Sequence, residues 1–166
     1  MAKVAILAGE PSGDLIASQL MAYIRTKVSD IEFIGVGGPL MKHEGLKSYF
    51  DYSNLSLYGI FQVIPNIPKL IFLRYKLIKY LKKEKPDIFI GVDAPDFNFY
   101  VEKKLKQSGI STFHYVAPSV WAWRPKRVYK IKKSTELIFT LCTHEKPLFV
   151  NVGLDTAFVG HPLANK

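Results

Sequence analysis

The sequence predicts an α/β protein built on a doubly wound parallel sheet, and three observations carry that prediction. Short apolar runs recur at Val4–Ala8, Glu32–Val36, Asp87–Val92, Thr112–Val116, Leu137–Leu141 and Thr156–Val159. Stretches of helical length separate them, and chemically distinctive residues follow them. A run such as VAILA, apolar at every position, fits a strand buried on both faces. Strands alternating with helices imply a parallel sheet covered on both sides. Ligands of such sheets sit beyond the carboxyl ends of the strands, where strand order reverses. GEPSGD, GGP, DAPDFN and APSVWAW all follow candidate strands.

A chain of 166 residues suits one domain of this kind. Its 23 Lys and Arg against 14 Asp and Glu give a net charge of +9, which favours nucleic acid, an anionic membrane or a phosphorylated ligand as partner. The single cysteine, Cys142, excludes an internal disulfide and a cysteine cluster for zinc and fits a reducing cytoplasm. The first apolar run ends in a glycine turn and an acid, without the cleavage site of a signal peptide. No repeat or low-complexity tract interrupts the chain, which stops at GHPLANK soon after a strand, where a further domain is expected to begin.

The first strand runs into GEPSGD and then a helix, with Leu15, Ile16, Leu20 and Ile24 at helical spacing and Ser12 or Asp14 as its cap. Amides at such a helix start favour an anion, yet Glu10 and Asp14 already bring negative charge. The loop, with Gly13, is therefore suited to hydroxyls rather than a triphosphate, or is a turn with two capping acids. No Gly-Lys-Ser/Thr follows, and GVGGPL lacks the third glycine of a dinucleotide fingerprint.

Leu55–Tyr80 is apolar over a long distance, but Gly59, Pro65 and Pro68 interrupt it and Lys69, Arg74, Lys76 and Lys79 intrude, which argues against a membrane span. From Arg74 onward it reads equally as a surface helix packing an apolar stripe on the sheet or an interfacial helix on anionic lipid. Leu57, Ile60, Phe61, Val63, Ile64 and Ile67 lie among helix breakers and are expected to form an exposed patch for acyl chains or membrane, continued by Leu70 and Phe72.

GVDAPDFNF puts Asp93 and Asp96 at the end of a buried strand, with Asn98 close by. A partly desolvated carboxylate there can act as general base on a sugar hydroxyl. Asp93 is the better candidate, since Asp96 follows Pro95 and is placed to cap a helix; the alternative for Asp93 is an acid that bonds loop amides. YVAPSVWAWRPKRVYKIKK joins Ser119, Trp121 and Trp123 to Arg124, Lys126 and Arg127. Indole faces stack on sugar rings and guanidinium groups hold phosphate, although the mixture also serves single-stranded nucleic acid. Trp121 as a core residue, and Lys130, Lys132 and Lys133 as a solvated face, are the structural alternatives. His43, His114, His144 and His161 lack ligand spacing, so no metal is expected; His161 follows a strand at the ligand edge, and His114 reads as a core residue.

AGEPSGD, GVGGPLMKHEG, PDIFIGVDAPDFNF, HYVAPSVWAWRPKRVYKIKK and FVGHPL, in this order, resemble the N-terminal half of the lipid-A-disaccharide synthase family over nearly the whole chain. The resemblance implies a GT-B architecture of two Rossmann-like domains, the first binding the acceptor and the second the UDP donor. It implies transfer of 2,3-diacylglucosamine from UDP-2,3-diacylglucosamine to 2,3-diacylglucosamine 1-phosphate, forming a β(1→6) disaccharide and UDP without metal or other cofactor, at the anionic cytoplasmic surface of the inner membrane of a Gram-negative bacterium. Asp93 matches the family's favoured general base, Glu10 would contact the acceptor, and Leu57–Phe72 matches the acyl-chain region. Members are about twice this length, so the chain is expected to lack the donor half and to be inactive alone. It also reads Leu-Cys-Thr-His-Glu145 where the family usually has Pro-Phe-Glu. The expected site is Asp93 and Glu10 as catalytic residues; Ser12, Gly13, Asp14, Asp96, Asn98, Ser119, Trp121, Trp123, Arg124, Arg127 and His161 around the substrate; and Lys69 and Arg74 beside the acyl patch. A nonenzymatic lipid-binding remnant and, less well supported, a nucleic-acid-binding protein are the alternatives.

Overall fold

The computed structural model describes residues 1–55, 60–118 and 125–160, with the side chains of 60–66 and 125 left out. Alternation of strand and helix holds throughout. The elements are β1 (Ala2–Ala8), α1 (Pro11–Lys27), β2 (Ile31–Val36), α2 (Pro39–His43), β3 (Leu46–Ser48), α3 (Ile60–Glu84), β4 (Ile88–Val92), α4 (Pro95–Lys106), β5 (Ser111–Tyr115), α5 (Val128–Lys132), β6 (Leu137–Thr140), α6 (Lys146–Val150) and β7 (Asp155–Phe158). The described strands form one sheet in the order β3-β2-β1-β4-β5-β6-β7, and every neighbouring pair is parallel. Strand order reverses between β1 and β4, where Leu7 pairs with Gly91 and Ala8 with Val92. The doubly wound parallel sheet expected from the sequence is therefore present. Only β3 was missed, because three residues, one of them a lysine, carry too short a pattern to read.

Strand periodicity divides the core. Val4, Ile6 and Ala8 face α1 and pack with Ala17, Met21, Phe33 and Ile90. Ala5 and Leu7 face the other side and pack with Leu77, Leu81, Phe89, Val101 and Leu105 from α3, β4 and α4. A third cluster of Phe99, Val128, Ile131, Ile138 and Phe149 joins α4 to α5, β6 and α6.

α3 corrects one expectation. Its prolines at 65 and 68 do not break it, and it runs continuously from Ile60 to Glu84, about 37 Å at 1.5 Å per residue. No helix among the described residues is long and apolar enough to cross a membrane. The C-terminal half buries Leu77, Ile78 and Leu81 against the sheet, the ordinary packing of an amphipathic helix.

The start of α1 is a second correction. The helix begins at Pro11 with Glu10 as N-cap and no side-chain cap bond, so neither Ser12 nor Asp14 caps it. Asp14 instead turns inward at 2% exposure. Its Oδ1 accepts from the Gly38 and Met41 amides at 2.8 and 3.1 Å, and its Oδ2 accepts from the Leu40 amide at 3.1 Å. It thus closes the start of α2 from a neighbouring element. A glycine is required at 38 because a Cβ there would lie 2.5 Å from Asp14 Oδ2.

Asp14→Ala leaves these amides without their acceptor, and hydrogen bonds to a charged group contribute about 1.5–3 kcal/mol each with incomplete additivity. Urea unfolding is expected to show a loss of about 2–4 kcal/mol, with a smaller loss for Asp14→Asn. A change under about 0.5 kcal/mol, the range of ordinary surface substitutions, would contradict this role.

Candidate active site at the strand reversal

The loops after β1 and β4 meet at the reversal. A Cβ placed on Gly9 would sit 3.5 Å from Ala94 Cβ, and one on Gly13 would sit 3.5 Å from the Val92 carbonyl oxygen. Gly13 is buried; Glu10 and Ser12 are exposed on the rim at the start of α1.

The β4 loop is strained. Asp93 and Ala94 have φ of 52° and 42°, and Val116, after the adjacent β5, has φ of 77°. Left-handed backbone at non-glycine residues costs about 1–3 kcal/mol each and persists only where the surroundings enforce it. The enforcement is visible. The Asp93 amide donates to the Tyr115 carbonyl at 2.9 Å. Buried Asn98 donates through Nδ2 to the carbonyls of Asp93 at 2.7 Å and Val92 at 3.3 Å. The result is a half-buried carboxylate-bearing turn held in a conformation its sequence does not favour.

Ala94, not Asp96, is the N-cap of α4, which corrects the capping role expected for Asp96. Asp96 is exposed in the first turn, where its Oδ1 accepts from Arg127 Nη2. Arg74, between exposed Ile71 and Tyr75 in the sequence of α3, has its guanidinium 4.9 Å from the ring centres of Phe97 and Tyr100, and Nη2 donates to the Asp96 carbonyl at 3.4 Å. It ties α3 to the start of α4.

Between α4 and α5 lies a cleft of about 650 Å³ lined by Pro95, Asp96, Phe99, Lys126, Arg127, Lys130, Ile131 and Ser134. Lys126, Arg127 and Lys130 gather beside an apolar floor, Asp96 already being paired with Arg127, and the positive end of α4 opens into the cleft. This is a volume and composition for an amphiphilic anionic ligand. Lys126 belongs to the basic cluster expected to hold phosphate, whereas Lys130, expected on a solvated face, lines the cleft one helical turn from it.

Behind the turn, Glu102 and His114 are fully buried and paired, Oε1 to Nδ1 at 2.7 Å. Burial pushes the Glu102 carboxyl up from its ordinary range, and His114 only partly opposes this. His114 is thus the core residue expected. Its partner Glu102 shares one face of α4 with Asn98, four residues earlier, and that spacing is the sequence signal for the Asn98–Glu102 pair.

One turn after β6 departs from the expected absence of donor clusters. Cys142, His144 and Glu145 bring donor atoms within 4.8 Å of one another. Glu145 Oε2 accepts from the Cys142 amide at 3.2 Å, a capping box that accounts for two of the three.

Along α3, Ile67, Ile71 and Tyr75 recur every fourth residue and Phe72 lies beside them, all exposed. Lys69, Lys76 and Lys79 are also exposed and Leu70 is half-buried. Ser119, Trp121, Trp123, Arg124, His161 and Leu57 lie outside the described residues, as do the side chains of Ile60, Phe61, Val63 and Ile64.

A doubly wound parallel sheet with a strained acidic turn at the strand reversal defines a Rossmann-like α/β domain. Solved structures share that fold. Neisseria meningitidis UDP-GlcNAc 2-epimerase bound to UDP-GlcNAc superposes with a TM-score of 0.65 at 11% identity, covering 97% of this chain and 46% of that one. The S. aureus MnaA–UDP co-structure gives 0.66 at 14% identity, covering 97% and 44%. Sequence similarity is more specific. The family model for lipid-A-disaccharide synthetase matches residues 4–166. Lipid-A-disaccharide synthase of Pseudomonas aeruginosa is 50% identical over 163 residues, 98% of this chain and 43% of the relative, and that of Pseudomonas putida is 50% identical over 162 residues with the same coverage. The chain belongs to the lipid-A-disaccharide synthetase family, a family of glycosyltransferases of lipid A synthesis. It spans less than half the length of these curated relatives.

The packing behind the turn gives a direct test. A Cβ on Gly91 would lie 2.2 Å from Glu102 Oε1 and 2.9 Å from Asn98 Cγ. Gly91→Ala is expected to displace both side chains and cost about 1–3 kcal/mol in urea unfolding. Unchanged stability and unchanged Asn98 side-chain amide resonances would show that the packing is looser than described.

Proposed function

We propose that the chain is the acceptor-binding part of a lipid-A-disaccharide synthase. The whole enzyme transfers 2,3-diacylglucosamine from UDP-2,3-diacylglucosamine to 2,3-diacylglucosamine 1-phosphate. The observation that carries this reading is the family match over 163 residues together with Asp93 at the strand reversal, in the loop where the sheet gathers its ligand-edge residues. Asp93 takes the proton of the acceptor 6-hydroxyl. That oxygen attacks the anomeric carbon of the donor sugar, the bond from that carbon to the UDP oxygen breaks, configuration inverts, and UDP leaves. Glu10 and Ser12, on the adjoining loop, orient the acceptor. The donor is gripped by a second Rossmann-like domain of the GT-B enzyme, so the 166 residues alone are expected not to transfer. No metal is required for this step.

The cleft beside α4 suits the amphiphilic acceptor, with Arg127, Lys126 and Lys130 near its 1-phosphate. The exposed stripe Ile67, Ile71, Phe72 and Tyr75, edged by Lys69, Lys76 and Lys79, suits acyl chains and the anionic cytoplasmic face of the inner membrane. Nucleic acid is disfavoured as a partner because the described basic residues flank a cleft and an apolar stripe rather than tracking a long backbone.

In an enzyme carrying these residues together with a donor-binding half, Asp93→Asn is expected to lower turnover about 100- to 10,000-fold, the range of general-base catalysis, while acceptor affinity survives. Near-normal turnover, or loss of turnover without loss of binding in Glu10→Gln alone, would move the base to Glu10. Lys130→Ala should weaken the phosphorylated acceptor more than its dephosphorylated analogue, by about 1.5–3 kcal/mol for a charged contact; equal losses would remove the phosphate from this cleft. Replacing Ile67, Ile71 and Phe72 by serine is expected to reduce partition onto anionic vesicles by about tenfold or more, since each apolar side chain is worth more than 1 kcal/mol when buried in lipid. Sedimentation with vesicles that gave equal binding for both proteins would exclude the stripe from membrane contact.

A further inference from the structure

Asn98, Glu102 and His114 are each 0% exposed, and three of their atoms have no hydrogen-bond partner among the described residues: Asn98 Oδ1, Glu102 Oε2 and His114 Nε2. Their protonation decides what that means. As a carboxylate and an imidazolium, the pair would leave a charged oxygen and a charged N–H both unpartnered in an apolar interior, with the Asn98 oxygen unpartnered as well. Such groups cost far more than a lone neutral acceptor. Placing that proton on Glu102 Oε2 instead turns it into a donor, and Asn98 Oδ1 is an acceptor one helical turn away on the same face of α4. Both side chains press on the same point of Gly91. The neutral arrangement leaves only the His114 Nε2 lone pair without a partner. Among the described residues, His114 is the one titratable group acting on Glu102; the Phe99 ring lies tilted against the imidazole with ring centres 4.2 Å apart.

We propose that Glu102 is neutral and is a positioning residue for Asp93. It links a single-direction chain in which His114 Nδ1–H donates to Glu102 Oε1, Glu102 Oε2–H donates to Asn98 Oδ1, and the Asn98 amide donates to the Val92 and Asp93 carbonyls. Asn98 can offer both of its Nδ2 hydrogens to the turn only in one orientation of its amide. A donor at Glu102 fixes that orientation, whereas a carboxylate would repel the Asn98 oxygen and favour the flipped amide. The neutral carboxyl is therefore what keeps the left-handed Asp93–Ala94 turn in place. Its consequence for transfer rests on the reading of Asp93 as the base; the proton on Glu102 does not.

The test compares the wild-type chain with Glu102→Gln and Glu102→Leu. Glutamine reproduces the neutral carboxyl, with an amide donor toward Asn98 and a carbonyl acceptor toward His114. A glutamate kept neutral in the fold but ionised when unfolded loses stability as pH rises above its unfolded value near 4.5, through its raised folded value. Urea unfolding between pH 5 and 8 is thus expected to show Glu102→Gln gaining on the wild type by up to about tenfold in the folding equilibrium constant per pH unit. Taking the difference between the two proteins at each pH removes the other titrating groups. The Asp93 and Ala94 Cα chemical shifts, which report left-handed backbone, should stay unchanged in Glu102→Gln and move in Glu102→Leu. In the infrared difference spectrum between wild type and Glu102→Gln, the carbonyl stretch of a protonated carboxyl should be present at neutral pH; this measurement needs no folded Glu102→Leu protein. A carboxylate band in its place, or a Glu102→Gln protein that is less stable than the wild type by a margin that widens with pH, overturns the proposal. If turnover in the completed enzyme survives Asp93→Asn while these readouts behave as expected, the proton assignment stands and only the role of Asp93 as base is lost.

Discussion

The clamp of Asn98 Nδ2 on the carbonyls of Val92 and Asp93 is the constraint from which the site follows. Two consecutive non-glycine residues with positive φ are an unfavourable way to leave a strand, and the backbone would relax without a side chain binding the carbonyls they turn inward. Holding them there leaves the Asp93 side chain at the ligand edge and lets α4 begin at Pro95 with its amides and positive dipole directed into the cleft. The clamp itself needs room, which Gly91 supplies by having no Cβ where Asn98 and Glu102 lie. Strand end, turn, helix start and cleft therefore depend on one buried amide.

Asp14 does for the neighbouring loops what Asn98 does for the β4 loop. A buried acceptor on α1 collects the amides at the start of α2, fixing the loops after β1 and β2 against each other. The two acids of the first loop thereby divide their work. Asp14 is enclosed and holds structure, while Glu10, four residues earlier, stays on the rim facing solvent. The question of why a loop shaped for an anion carries negative charge has a structural answer for one acid, and a ligand remains to be assigned only to the other.

Much of this was legible in the sequence, for physical reasons. Buried parallel strands are apolar at nearly every position, so six of the seven stood out, and boundary errors were a residue or two. The position of Asp93 beyond a buried strand followed from the same pattern. What the sequence hid was whatever depended on distant partners. Capping of α1 by Ser12 or Asp14 and of α4 by Asp96 was inferred from local preference, but Asp14 is drawn to α2 and Asp96 to Arg127. The Glu102–His114 pair joins residues on α4 and β5, and neither residue announces the other. Prolines at 65 and 68 read as breaks because local rules count the missing amides, not the packing of the following turns on the sheet.

That packing also explains why α3 carries two chemistries. From Leu77 to Leu81 its apolar residues face β1 and β4 and are buried; from Ile67 to Tyr75 an apolar stripe at the same helical period is exposed. A helix of 25 residues is about 37 Å long at 1.5 Å per residue, whereas strands such as β1, with seven residues, extend only about 23 Å at 3.3 Å per residue. The helix therefore outruns the sheet that covers its C-terminal half, and an unbroken apolar stripe must emerge from the core on the N-terminal side. Arg74 stands at the crossing point, with its guanidinium on Phe97 and Tyr100 and a hydrogen bond to the first turn of α4. It couples the emergent half of α3 to the same helix start that the Asn98 clamp positions, so the exposed stripe and the cleft are joined through side-chain contacts between two helices rather than through a loop.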